Sequence, residues 1–194
     1  MNISLKRLSL IICLSIPHIG NAVTVSDVEL IAFECNGCHG TNGVSRGESI
    51  PSIAGLEKRF FMRIMMEFKK NERSSTIMDR IAKGYKASVI RKIAGYYSDL
   101  EWVNTNITPD GEKVRIGKKI HDEYCEECHS ENGQHQDHEI PRISGQVRNH
   151  LYMQMLTYYL GKENMPQPEK MEERIKKLEI EDLVALSHYY ASGQ

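Results

Sequence analysis

Between Leu56 and Lys70 the apolar residues Phe60, Phe61, Ile64, Met65 and Phe68 recur at helical spacing, with charged side chains between them. The same period returns in "ASVIRKIAGYYSDL", where Ile90, Ile93, Ala94 and Tyr97 share one face. Further upstream, Ser26 followed by Glu29 has the form of a capping box and opens a short helix that runs into Cys35. Three more helices are predicted downstream, at "GEKVRIGKKIHDEY", "GQVRNHLYMQMLTYYLG" and "EIEDLVALSHYYAS". Alternating β-branched runs are scarce, so the pattern predicts an all-α fold with almost no sheet. Pro109 and Gly111 mark residues 101–112 as a linker.

The helical pattern is written twice. At an offset of 90, Cys35, Cys38 and His39 fall on Cys125, Cys128 and His129, and Asn42-Gly43 on Asn132-Gly133. "PSIAG" (51–55) falls on "PRISG" (141–145), and Phe68 on Tyr158. Beyond that point the offset becomes 93, which implies three inserted residues: Met78 then matches Met171, Ile90 matches Leu183, and Tyr96-Tyr97 match Tyr189-Tyr190. The expectation is two tandem copies of one small domain, 23–103 and 104–194.

Residues 1–22 stand outside the repeat. Lys6 and Arg7 precede the apolar run Leu8–Ile16, and "PHIGNA" ends in small residues, the order of a secretory signal cleaved after Ala22. A retained N-terminal anchor is the alternative, although the run is too short to span a bilayer. Cys13 goes with the signal, and export predicts a periplasmic protein. Removing Lys6 and Arg7 leaves 23 basic against 26 acidic residues, a formal charge of −3. That balance, with no basic stripe, excludes nucleic-acid binding and a membrane-surface role, and no later stretch is long enough for a membrane span.

The four remaining cysteines all lie in the two C-x-x-C-H stretches, "CNGCH" and "CEECH". A zinc ribbon needs its thiol pairs close enough to converge, whereas Cys38 and Cys125 are 87 residues apart in separate copies. Two redox dithiols would leave both histidines unexplained. C-x-x-C-H is the attachment signal for c-type haem: two thiols three apart form thioethers to one haem edge, and the following imidazole ligates iron. Two covalently bound haems are expected, through Cys35 and Cys38 with His39, and through Cys125 and Cys128 with His129. They would also supply the core that such small domains lack.

A methionine as sixth ligand raises the reduction potential and favours electron transfer. Met62, Met65 and Met66 sit in an amphipathic helix, where methionine fills core space. Met78 lies in "SSTIMDRIAKG", expected between helices and free to approach iron side-on. Met78 precedes Tyr96 by 18 residues and Met171 precedes Tyr189 by 18, which selects Met78 and Met171, with Met165 the alternative in the second copy. Pro51 and Pro141 each follow their histidine by 12 residues, so their carbonyls are candidates to hold the other imidazole nitrogen. His18, His121, His135, His138, His150 and His188 show no such pattern and are expected in the signal or on the surface.

These residues carry a family resemblance. "CNGCHG", "PSIAG", "SSTIMDRIAKGY" with "AGYY", "IHDEYCEECH" and "EKM" resemble the dihaem cytochrome c subunit of flavocytochrome c sulfide dehydrogenase, within the two-domain bacterial dihaem cytochromes. The second domain departs from that likeness around "GKENMPQPEKM". The resemblance implies two class I cytochrome c-like domains, each wrapped around one haem. It also implies an FAD-containing flavoprotein subunit as electron donor and a soluble electron acceptor. No dinucleotide-binding fingerprint occurs, so no flavin is expected in this chain, which would relay electrons rather than act as an enzyme. A free-standing dihaem carrier between a quinol-oxidising complex and a terminal oxidase or reductase is the alternative. A dihaem peroxidase is disfavoured because each copy supplies a methionine for the sixth position.

Overall fold

In the computed structural model of the chain, which describes residues 26–106, 108–161, 165, 166 and 168–194, Ser26 caps the first helix as its sequence requires. Its Oγ accepts from Glu29 N at 3.3 Å, and its own N–H donates to the Glu29 carboxylate at 2.7 Å. The signal-peptide expectation for 1–22, with Cys13 and His18, lies outside the described residues.

The first half comprises α1 (Asp27–His39), α2 (Lys58–Lys69), α3 (Met78–Lys83) and α4 (Ala87–Ser98). The second comprises α5 (Gly111–Ile120) continued by a π-helical turn (His121–Cys125), α6 (Ser130–Gly133), α7 (Arg148–Tyr159), α8 (Glu169–Ile175) and α9 (Ile180–Ala191). α6 is a single turn interrupted by left-handed Glu131 and Asn132. No strand occurs among the described residues, and no helix there is long and apolar enough to cross a membrane.

The two halves fold alike in detail. α4 and α9 begin and end at positions matched by the offset of 93. Each half has its own apolar cluster, built on Ile53, Phe61, Met65, Ile90, Ile93 and Tyr97 in the first and on Leu151, Met155, Leu183, Leu186, Tyr189 and Tyr190 in the second. Ile90 is fully buried, and a side chain of that size contributes roughly 1.5–3 kcal/mol by leaving water. The Gly43 carbonyl accepts from Ile53 N and Ala54 N at 2.8 and 3.2 Å, and the Gly133 carbonyl from Ile143 N and Ser144 N at 2.9 Å each. Gly55 N donates to Tyr97 O at 2.8 Å and Gly145 N to Tyr190 O at 2.7 Å.

Two expectations need correcting. Met78 does not lie between helices but opens α3, and Met171 likewise sits inside α8. The linker is tied down: Thr105 N donates to Gly145 O at 2.8 Å, and the Arg142 guanidinium lies 5.1 Å from the Trp102 ring centroid. Trp102 also presses on Gly55, where an added Cβ would lie 2.7 Å from its backbone nitrogen. The linker also ends at Asp110, two residues before expected: Gly111 and Glu112 open α5, as the helix expected at "GEKVRIGKKIHDEY" requires, and Asp110 caps it, its Oδ1 accepting from Glu112 N and Lys113 N at 3.0 and 3.1 Å.

The halves are joined by direct hydrogen bonds. Gln146 Oε1 accepts from Ser52 N at 2.8 Å while its Nε2 donates to Ser52 O at 2.9 Å. Gln136 repeats the device, accepting from Glu57 N at 3.0 Å and donating to Gly55 O at 2.9 Å. Arg73, buried and paired with Glu67 at 2.7 Å, reaches across to the Tyr158 hydroxyl at 3.3 Å and the Pro166 carbonyl at 3.3 Å.

Candidate functional site

The last turn of α1 carries the first centre. Cys35 and Cys38 are free thiols three residues apart on one helix, so both project to the same side, and His39 ends the helix with only 8% of its surface exposed. His39 Nδ1 donates to the Pro51 carbonyl at 2.8 Å, which leaves Nε2 to act as a ligand. Burial lowers the His39 pKa, partly offset by the Pro51 carbonyl, so the ring is held neutral, the form that binds a metal. Burial likewise raises the Cys35 thiol above its ordinary range. Met78 is half-buried against the same apolar cluster as Cys35. The Tyr97 hydroxyl hydrogen-bonds to Ala32 O at 2.9 Å and Asn36 Oδ1 at 3.1 Å, tying α4 to the helix that bears the thiols.

The second centre is built on the same plan with different surroundings. Cys125 ends the π-helical turn, Cys128 and His129 follow, and both thiols are free. His129 Nδ1 is buried without a hydrogen-bond partner among the described residues, so the expected bond to the Pro141 carbonyl is not formed. The π-helical turn has a physical bearing on this. It widens the helix by one residue over the turn that ends at the first thiol, and the chain after His129 turns through left-handed Glu131 and Asn132 where the first half uses Gly40 and Asn42. Burial, followed by the nearby His121 and His135, pushes the His129 pKa down to about 4, so this imidazole too is held neutral. Met171 is half-buried on α8, which packs against the π-helical turn.

Met165 faces elsewhere: its buried Sδ accepts from Arg73 Nη1 at 3.4 Å, a contact with the first half of the chain.

The other histidines divide. His138 is exposed, as expected, and His135 is half-buried. His121 is not at the surface: it is fully buried, with Nδ1 3.0 Å from the Tyr190 hydroxyl and Nε2 bonded to the Glu126 carboxylate. A buried imidazole is tolerated there because both nitrogens have partners. The offset of 90 sets His121 opposite Ile31 and Glu126 opposite Asn36, so the repeat itself held the signal that this position points inward. His188 is half-buried and accepts from Asp110 N at 3.1 Å, and half-buried His150 is held neutral, its pKa pushed down to about 4 by burial and by His39 and Arg73 beyond it.

Each half therefore assembles two thiols a helical turn apart, a neutral imidazole and a thioether on a separate helix. The spare ring nitrogens, one bonded to a carbonyl and one without partner, show that neither histidine is committed to structural hydrogen bonding through both nitrogens. That donor set fits a covalently attached haem, whose iron takes one imidazole and one thioether, and among the described residues neither thiol pair converges with its histidine on one point, as a zinc site would need.

No protein-family model matches the chain. The cytochrome subunit of sulfide dehydrogenase from Chlorobaculum tepidum is 42% identical over 82 residues, which cover 42% of this chain and 74% of that protein. Among solved structures, reduced recombinant cytochrome c4 from Pseudomonas stutzeri matches with a TM-score of 0.75 at 22% identity, over 84% of this chain and 95% of that one. Cytochrome c4 from Acidithiobacillus ferrooxidans gives 0.73 at 20% identity, over 82% and 99%. Fold and site together define a two-domain, class I c-type cytochrome, a protein that holds haem c covalently and transfers electrons. More narrowly, the chain belongs to the family of sulfide dehydrogenase cytochrome subunits.

Proposed function

We propose that the chain is a periplasmic dihaem electron relay with domains 23–103 and 104–194. It would take single electrons from an FAD-containing flavoprotein subunit that oxidises sulfide and pass them to a soluble acceptor. In this reading Cys35, Cys38, His39 and Met78 hold the first haem, and Cys125, Cys128, His129 and Met171 the second. The carrying observation is the second thiol–histidine centre, set in register with the first in a chain of this family. The chemistry that haem c supplies when bound is a one-electron couple at iron. The chain's own part is to anchor each ring through two thiols, to present a neutral imidazole, and to exclude water by packing apolar side chains around both centres. Met171 is favoured over Met165 because the Met165 sulfur already accepts from Arg73 and faces the first half.

The reading predicts two haems per chain by pyridine haemochrome assay, falling to one in Cys35→Ala/Cys38→Ala. Addition of sulfide should reduce both haems only when a co-purifying flavoprotein is present. A chain that elutes free of flavin and is reduced by a quinol-oxidising complex instead would be the free-standing carrier. A chain that binds fewer than two haems would overturn the dihaem assignment.

A further inference from the structure

The peptide group between Pro51 and Ser52 is bonded at both ends. Its carbonyl accepts from His39 Nδ1 at 2.8 Å, and its N–H donates to Gln146 Oε1 at 2.8 Å. One amide thus stands between the histidine of the first centre and a glutamine that belongs to the second half. Gln146 itself is only 5% exposed and is held from two sides. Its Oε1 also accepts from Val147 N at 2.9 Å, and its Nε2 donates to Ser52 O at 2.9 Å. Hydrogen bonds chained through one amide polarise each other, so a donor bond at the Ser52 N–H makes the Pro51 oxygen a stronger acceptor. A stronger acceptor on Nδ1 makes the imidazole a better electron donor through Nε2 and fixes its plane. Among the described residues nothing equivalent serves the second centre, where His129 Nδ1 has no partner and Arg142 stands opposite Ser52 in the repeat.

We propose that Gln146 is a positioning residue for His39, acting from the second half of the chain through the Pro51–Ser52 peptide to set the potential of the first haem. An electron-rich imidazole favours the oxidised iron, so the intact chain of bonds holds that potential low. The two halves are then coupled chemically as well as mechanically: loosening their interface at Gln146 raises the potential of the first haem alone.

The test is a potentiometric titration of the holoprotein with both haems resolved. Gln146→Met, close to glutamine in volume but unable to bond the peptide, raises the potential of the first haem and leaves the second where it was. Gln146→Glu, which still accepts from Ser52 N, keeps the first potential at or below the wild-type value. Gln136→Met breaks the other two-bond contact between the halves without touching the Pro51 peptide, and leaves both potentials unchanged. A Gln146→Met protein with the wild-type first potential overturns the proposal. So does a Gln136→Met protein that shifts it equally, since that would be loosened docking and not the relay. Should Gln146→Met fail to retain both haems, hydrogen exchange in the wild-type holoprotein decides. The Ser52 amide and the His39 Nδ1–H exchange slowly together if the relay exists, and a freely exchanging Ser52 amide refutes it. The inference rests on His39 being a haem ligand. That reading fails separately, through a His39→Gly protein that keeps two low-spin haems.

Discussion

His39 and His129 occupy equivalent places in a duplicated fold, yet their rings live in different chemistry. The first is tied through Nδ1 to the Pro51 carbonyl and, beyond it, to the other half of the chain. The second has a buried Nδ1 without a partner among the described residues, and beside it Tyr190 and Glu126 hold the buried His121 where the first half has Ile31. Identical main-chain bonds at Gly43 and Gly133 frame both sites, so the divergence comes neither from the fold nor from the motif. It comes from the run-up to the thiols: a regular α1 in one half, and in the other a helix that widens into a π-helical turn over His121–Cys125. Duplication conserved the scaffold, and small changes around each ring made the two centres distinct.

The largest effect expected of any single change is at the sixth ligand. Met78→Ala and Met171→Ala should each abolish, for one haem only, the weak red absorption of a methionine–iron bond, and raise ligand-binding reactivity at that haem. Met165→Ala should leave that band intact. If Met165→Ala instead removes half of it, the second centre does not follow the register of the first.

Next comes a contrast between two helical glycines. A Cβ at Gly117 would lie 2.4 Å from the Ala185 carbonyl and would push α5 from α9, so Gly117→Ala should cost about 1–3 kcal/mol. Gly95→Ala meets only the flexible end of Lys58, at 3.4 Å, and should be neutral or stabilise by about 0.5–1 kcal/mol from helix propensity. Denaturant unfolding of the two variants, followed by helical circular dichroism, tests the pair. Equal effects would mean that the helices of the second half are no closer than those of the first.

The tyrosines give a smaller contrast. Tyr190→Phe strands the buried Nδ1 of His121 and should cost about 1–3 kcal/mol. Tyr97→Phe removes one hydroxyl from a helix carbonyl and an asparagine that have other partners or water, and should cost nearer 1 kcal/mol. Thermal melts of both would reveal the ordering, and a reversed order would argue against a buried His121.

How much of this could be read from residues alone follows from what leaves a periodic trace. The long amphipathic helices did: Phe61 and Met65, or Ile90, Ile93 and Tyr97, are buried as their spacing requires. The repeat and the four thiols were equally plain. α3 was not, because six residues are too few to show a period, and Met78 looked like loop. His121 taken alone reads as a surface residue; its place opposite Ile31 in the repeat points inward, and Tyr190 and Glu126 supply the partners its burial needs. The Pro141 carbonyl lies at the right spacing but fails to reach His129, because spacing says nothing of a helix that changes its winding eight residues upstream. Gln136 and Gln146 carry no motif at all, and their partners are peptide groups that every residue possesses.

That last point bears on inheritance. Both glutamines grip the first half through its main chain, at Ser52, Gly55 and Glu57, and not through any side chain there. Neither glutamine contact depends on a first-half side chain, whereas the Arg73 bridge to Tyr158 and Pro166 does. At the two glutamines nearly every substitution breaks the contact. At these two contacts selection falls on the glutamines alone, so this part of the seam should drift asymmetrically among descendants: variable where it is held, constant where it does the holding.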